Sequence, residues 1–178
     1  MSRWSSILIL SLSLLTAWSS SALAKTHASV SPALKGIDAV MVVVSGMSPQ
    51  AEKDGLKRAD LQHDVEHRLR QAGIKVLSPS ERAQAPGQPQ LIVRFVDQKR
   101  SDMEIYAISI AVHLVQSVRL ARDNKVVVPA ETWGMSGVIS VGAQELVSVR
   151  SLLQEYVDMF IQACHAANGV KSKTQERP

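Results

Sequence analysis

Apolar and polar residues alternate in the middle of this chain, between Tyr106 and Leu120. One parity carries the aliphatic side chains of Ile108, Ile110, Val112, Leu114, Val118 and Leu120. Alternation with a period of two is typical of a strand with one buried and one solvated face. A turn at residues 122–125 and a second apolar segment, Val126–Val141, complete a predicted hairpin over about 105–141. Pro129 indicates an edge position or a bulge, because proline cannot donate a hydrogen bond.

Two segments carry the three-and-four spacing of an amphipathic helix. The first covers about 49–72, begins after Ser48, and is predicted to break at Gly55. Its apolar positions are Leu61, Val65, Leu69 and Ala72. The second covers about 143–168 and ends before Gly169. Its apolar positions are Leu146, Val149, Leu153, Tyr156, Phe160 and Cys164. This spacing predicts that Cys164 lies in the core.

Three shorter apolar segments complete the predicted sheet. Ala39–Val44 is a continuous run rich in valine, which favours a central strand buried on both faces. Ile74–Leu77 and Leu91–Phe95 are predicted strands, and 78–90 is predicted to be a loop because it holds several prolines. The sequence therefore predicts an α+β fold, with a mostly antiparallel sheet of four to five strands and two main helices packed on one face.

The first 24 residues have the pattern of a secretory signal peptide. Arg3 is the only charged residue before Lys25, an apolar run follows it, and small residues precede a predicted cleavage site after Ala24. An uncleaved anchor is the alternative, which the many serines disfavour. We expect a periplasmic or secreted protein with a flexible lead over 25–36, one domain over 37–169, a disordered tail over 170–178 and no membrane span after removal of the signal.

Composition narrows the function classes. The chain has 178 residues, a formal net charge of +4 and one cysteine. One cysteine excludes an internal disulfide framework and a Cys-based zinc cluster. Basic residues in the first helix are interleaved with acidic ones, so no single-sign patch for nucleic acid is expected. The sequence indicates no cofactor.

The motif with the most specific chemistry is His63-Asp64-Val65-Glu66-His67. It matches H-x-x-E-H, in which two histidines one helical turn apart bind zinc and a glutamate activates water. Both histidines lie opposite the apolar positions of the helix, which indicates an exposed face. The spacing also predicts the ion pairs Asp64–Arg68 and Glu66–Arg70 on that face. His63, Glu66 and His67 are the metal candidates, but the pattern favours an exposed helix face.

Other reactive residues have simpler explanations. The segment Gly134–Gly137 lacks the spacing of a nucleophile elbow around its serine. His113 falls on the polar parity of its strand, which predicts an exposed position. Cys164 and His165 are neighbours on a helix, so their side chains diverge and form no dyad. Trp133 is the candidate partner-binding residue, with packing in the core as the alternative.

The order of elements carries a resemblance. It includes VMVVVSG entering a helix, ADLQHDVEHRLRQAGIKVLSPSER, the long hairpin and the closing helix LLQEYVDMFIQACHAAN. In these features the chain resembles small exported α/β domains of bacterial envelope assembly, such as penicillin-binding-protein activator lipoproteins, curli-secretion proteins and the N-terminal domain of TolB. It departs from the lipoproteins because no cysteine follows the signal. The resemblance implies an accessory role and assigns no site residues.

These observations favour a non-enzymatic periplasmic or secreted domain that binds another envelope protein or a second copy of itself. The return strand of the hairpin is the expected docking element, since an edge strand can pair with an added strand. We predict no catalytic residue. A zinc-dependent hydrolase built on His63, Glu66 and His67 and a carrier for a small apolar ligand remain the alternatives.

Overall fold

A computed structural model describes residues 31–100 and 102–170. The predicted signal peptide, half of the predicted lead and nearly all of the predicted tail lie outside the described residues. The elements follow in the order β1 (Ala39–Ser45), α1 (Pro49–Lys53), α2 (Arg58–Gln71), β2 (Lys75–Val76), α3 (Pro79–Gln84), β3 (Gln90–Arg100), β4 (Ile105–Leu120), β5 (Asp123–Gly142) and α4 (Val149–Ala167). Short 3₁₀ helices at Pro32–Leu34 and Ala143–Ser148 precede β1 and α4.

The five strands form one sheet in the order β2-β1-β3-β4-β5. β1 is parallel to both neighbours, whereas β3, β4 and β5 are antiparallel. The hairpin of β4 and β5 dominates the sheet, because these are its two longest strands. The predicted α+β class, the long hairpin and the two main helices are confirmed.

The sheet buries its apolar side chains on the face that the two main helices cover. On this face, the strands contribute Val40, Val42, Val44, Leu91, Val93, Phe95, Tyr106, Ile108, Ile110, Val112 and Leu114, all buried. α2 contributes Leu61, Val65 and Leu69, and α4 contributes residues such as Leu153 and Phe160. β1 lies between β2 and β3, but the prediction that both its faces are buried is wrong, since Met41 and Val43 are only half-buried. The opposite face of the sheet is called the open face below.

Several predicted boundaries need correction. The helix predicted over 49–72 is two helices, α1 and α2, with the break at the predicted Gly55. The segment predicted as a loop over 78–90 contains α3. Its start is stabilised by a capping box, in which the Ser78 hydroxyl accepts from the Glu81 N–H and the Glu81 carboxylate accepts from the Ser78 N–H. The sequence S-x-x-E was a readable signal for this helix.

Residues 32–36, the last part of the lead predicted to be flexible over 25–36, are ordered against the domain. Leu34 is fully buried in the core. Asn168 at the end of α4 holds this segment in place: its Oδ1 accepts from the Gly36 N–H at 2.7 Å, and its Nδ2 donates to the Leu34 carbonyl at 3.1 Å. The order of this segment therefore depends on a residue from the other end of the domain, which local sequence does not reveal.

Gly46 connects β1 to α1 and offers a test of this packing. Its φ is +85°, and a Cβ there would overlap the carbonyl oxygen of Phe95 in β3. Gly73 has a nearly identical φ of +80° with nothing within 4 Å of an added Cβ. Both substitutions to alanine incur the left-handed backbone strain, on the order of 1 kcal/mol or more, and only Gly46→Ala adds a steric clash.

We therefore expect Gly46→Ala to lower the free energy of unfolding by at least about 2 kcal/mol more than Gly73→Ala. Urea denaturation of both variants measures the difference. Equal losses in the two variants would contradict the close approach of Gly46 to β3.

Candidate functional site

The outer strand β5 is the candidate site. Among the described residues, only β4 pairs with it along the sheet, and no side chain of β5 is buried. Strand edges carry unpaired N–H and C=O groups that can accept a further strand, and proteins usually protect them with charges or proline. From Thr132 to Gln144 the chain has neither a charged residue nor a proline. We call this segment the uncharged edge.

A β-bulge separates the uncharged edge from the first part of β5. Leu114 lies opposite Trp133 and Val115 lies opposite Glu131, so Thr132 is an extra residue. The Gln116 side chain donates to the Thr132 hydroxyl at 2.6 Å. Before the bulge the strand contains Asp123, Lys125, Pro129 and Glu131. Of the two positions predicted for Pro129, an edge strand or a bulge, the described sheet has the edge strand. β5 is protected against pairing only in this first part.

His113 lies on the open face beside the bulge. It is opposite Gly134, and a Cβ on that glycine would collide with both the His113 ring and the Glu131 carboxylate. His113 Nδ1 and Glu131 Oε1 are 2.7 Å apart, within ion-pair distance but without hydrogen-bond alignment. His113 is half-buried rather than fully exposed as its parity predicted. The glycine thus allows two side chains to cross the strand at this point.

On the helix-covered side, aromatic side chains connect the uncharged edge to α4. The Trp133 ring packs edge-on against Phe160 of α4, with ring centroids 5.2 Å apart. The Tyr156 hydroxyl covers Gly137, where a Cβ would overlap it. Trp133, the predicted partner-binding candidate, is half-buried and packs against the core in this way.

Three apolar side chains, on β5, β3 and α4, are exposed. Val138 of β5 is 74% exposed on the open face, and Val96 of β3, on the same face, is 62% exposed. Met159 on α4 is 45% exposed. Sequence reasoning named none of these residues as functional, although the absence of charge from Thr132 to Gln144 was readable from the sequence. Val138 and Val96 are exposed because the two main helices cover the opposite face of the sheet.

The structure places the H-x-x-E-H residues on the outer surface of α2. The His63 and His67 rings are exposed and stacked, with centroids 6.2 Å apart. The Glu66 carboxylate instead accepts hydrogen bonds from Arg70 at 2.8 Å and from Gln62 at 3.0 Å. Within 31–100 and 102–170, no group of three or more His, Cys, Asp or Glu side chains is arranged to hold a metal ion.

The predicted pairing of Asp64 with Arg68 is wrong, whereas the Glu66–Arg70 pair is confirmed. Arg68 binds Asp158 of α4, with its Nε donating to the carboxylate at 2.6 Å, and this pairing raises the pKa of Arg68. Asp64 accepts from Arg150 of α4 at 2.6 Å. Both charges therefore connect α2 to α4 instead of lying along one helix.

Cys164 and His165 line an open cleft at the ends of α2 and α4. The cleft has a volume of about 460 Å³ and is also lined by Ile37, Ile74 and Asn168. Cys164 is 1% exposed, which confirms its predicted burial, and burial raises the pKa of its thiol to about 12. His165 Nε2 lies 3.0 Å from the carbonyl oxygen of Ala72. The thiol is therefore a poor nucleophile.

A polar cluster connects the end of α1 to β3 and β4. The Asp54 carboxylate accepts from the Tyr106 hydroxyl at 2.7 Å and from Lys99 Nζ at 3.0 Å. These hydrogen bonds lower the pKa of Asp54 to about 2. Burial, together with the hydrogen bond to Asp54, raises the pKa of Tyr106 to about 12. The cluster is saturated with internal partners, which favours a structural role.

This cluster predicts an acid-dependent loss of stability. A carboxyl whose pKa falls from 3.8 to about 2 on folding stabilises the fold above pH 3.8, and this contribution disappears as the pH falls through 2. Asp54→Asn should therefore flatten the decrease in thermal midpoint over this range.

Glu81→Gln serves as an independent comparison, because Lys75 and the Ser78 cap lower the pKa of Glu81 to about 2 as well. Thermal melts between about pH 2 and pH 5 measure both slopes. An Asp54→Asn slope identical to that of the wild type would show that the cluster does not form.

The hydrolase alternative has a direct test. We expect protein purified without an affinity tag to contain zinc far below one atom per chain, because the motif offers only the imidazoles of His63 and His67 and its Glu66 is bound by Arg70. Elemental analysis measures the zinc content. Stoichiometric zinc that disappears in His63→Ala but persists in Asp60→Ala would contradict this expectation.

Comparisons with known proteins identify no family for this chain. In the described chain no helix has both the length and the apolar character needed to cross a bilayer. No family model matches the chain, and no curated protein matches it either. Among solved structures, the chain is similar to a PelC dodecamer from Paraburkholderia phytofirmans, with a TM-score of 0.43, 11% sequence identity, and coverage of 73% of this chain and 88% of that chain.

Proposed function

We propose that this protein is a non-enzymatic interaction module of the cell envelope, and that it binds another polypeptide by strand addition to β5. The observation that carries the proposal is the uncharged edge, Thr132–Gln144, on a strand with only one pairing partner in the described chain. An edge of this length without charge or proline is uncommon in a protein that remains unpaired.

Strand addition would use both the backbone and the side chains of the uncharged edge. Backbone N–H and C=O groups would supply the affinity, and alternate side chains would supply specificity. On the open face these are Ser136, Val138 and Ser140, and on the helix-covered face they include Met135 and Ile139. The small side chains on the open face allow an added strand to approach without steric obstruction.

Location in the periplasm or outside the cell is part of the proposal. The support is the signal-like pattern of residues 1–24, and the resemblance in element order to exported envelope-accessory domains points in the same direction. The carboxylates of Asp54 and Glu81, whose pKa values are strongly lowered, already have internal partners. Binding through backbone groups does not require these side chains.

Site-specific photo-crosslinking in the cells that produce the protein tests the location of this surface. A photoreactive residue replaces Val138 in one variant and Val96 in a matched control, since both valines are exposed on the open face but Val96 lies two strands from the edge. We expect a protein adduct from position 138 and none from position 96. Adducts from position 96 alone, or none from either position, would contradict docking at the edge.

A further inference from the structure

We infer that the strand added to β5 is the β5 strand of a second copy of this chain, paired antiparallel and centred on Gly137. The inference rests on the proposed function and names its partner. Two copies would then share one continuous sheet across a two-fold axis. A two-fold axis perpendicular to the shared sheet requires antiparallel pairing of identical strands. It also makes the interface self-complementary, so that each contact between two different positions occurs twice.

The position of the axis follows from the limits of the uncharged edge. Within the strand the edge extends from Thr132 to Gly142, and Gly137 is its central residue. An axis at Gly137 pairs the whole edge with itself. An axis displaced toward the bulge would bring Glu131 close to its own copy and place Pro129 within the ladder, and both changes disfavour pairing.

The pairing centred on Gly137 is complementary along both faces. On the helix-covered face it places Ile139 opposite Met135, and Val141 opposite Trp133, so apolar side chains meet apolar side chains. On the open face it places Val138 opposite Ser136. Glu131 would lie opposite Ala143, and no charge would therefore face a like charge along the edge.

α4 supplies a second layer to the same interface. Leu152, Tyr156 and Met159 recur at helical spacing along α4, and Tyr156 identifies this side as the one nearest β5 because its hydroxyl covers Gly137. Leu152 and Tyr156 are half-buried, and Met159 is 45% exposed. Pairing at Gly137 would bring the two copies of this stripe toward each other above the sheet.

This second layer matters for the size of the interface. Stable interfaces bury roughly 1,200–2,000 Å² in total, which the backbone of one added strand does not reach without neighbouring side chains. Here the exposed Val138 on one face and the α4 stripe on the other lie on either side of the same edge. A second copy would cover both together, whereas an isolated foreign strand would leave the α4 stripe in water.

Paired cysteines test the register. In the Ser136→Cys/Val138→Cys double variant, each new thiol lies opposite a new thiol of the second copy, so mild oxidation should give a covalent dimer with two symmetric disulfides. Val138→Cys/Ser140→Cys is the matched control, because its cysteines meet only if the register shifts. Native Cys164 can remain, since it is 1% exposed. Cross-linking of the control alone, or of neither variant, would overturn the inferred register.

Sedimentation of the full chain tests the dimer itself. We expect the wild type to dimerise at micromolar concentration and Val138→Lys to weaken the dimer about tenfold or more, because two like charges would then lie close to the axis. Val96→Lys places the same charge at another exposed valine of the same face, two strands from the edge, and should leave the dimer intact. Circular dichroism of each variant verifies that the monomer remains folded.

The outcomes separate this inference from the proposed function. A wild-type monomer that still gives a foreign adduct from position 138 would overturn the inference of a second copy but retain docking at the edge. A dimer that resists Val138→Lys would place the interface elsewhere and also overturn the inference. Loss of both the dimer and every adduct at position 138 would overturn the two together.

Discussion

The packing of α2 and α4 against one face of the sheet is the contact on which the rest of the structure depends. Leu61 and Leu69 of α2 and Leu153 and Phe160 of α4 are all essentially inaccessible to solvent. The ion pairs Arg68–Asp158 and Arg150–Asp64 connect the two helices side by side. Helices are about 10 Å wide and strands about 4.8 Å apart, so two helices cover about four strands. β5 is the strand left at the margin.

This limited coverage explains why β5 differs from its neighbours. β4, one position further in, buries every second residue from Tyr106 to Leu114, while no residue of β5 is buried. The bulge at Thr132 and the proline before it protect only the first part of β5. The same margin leaves Met159 of α4 partly exposed. Unpaired backbone and exposed apolar side chains therefore occur together as a direct result of the layer geometry, and this combination supports an interaction surface.

The shifted pKa values in the described chain are explained by internal contacts. Asp54 and Glu81 have lowered pKa values because hydrogen bonds from Tyr106 and Lys75, respectively, stabilise their charged forms. Cys164 has a raised pKa because it is surrounded by hydrocarbon. Each shift stabilises the fold or follows from it. Among the described residues, no strand pairs with the outer side of β5, which is consistent with binding through backbone hydrogen bonds and shape.

The sequence by itself determined the elements and their buried faces, because side-chain direction repeats every two residues in a strand and every three to four in a helix. The hairpin, the break at Gly55 and the burial of Cys164 followed from such local spacing. Only the tertiary structure decided the order of the strands, the ordering of Leu34 by Asn168 and the partners of Asp64 and Arg68. Those contacts join residues far apart in the chain, and an arginine can pair equally well along its own helix or with its neighbour. Local spacing carries no information about that choice, since it depends on which helix packs alongside.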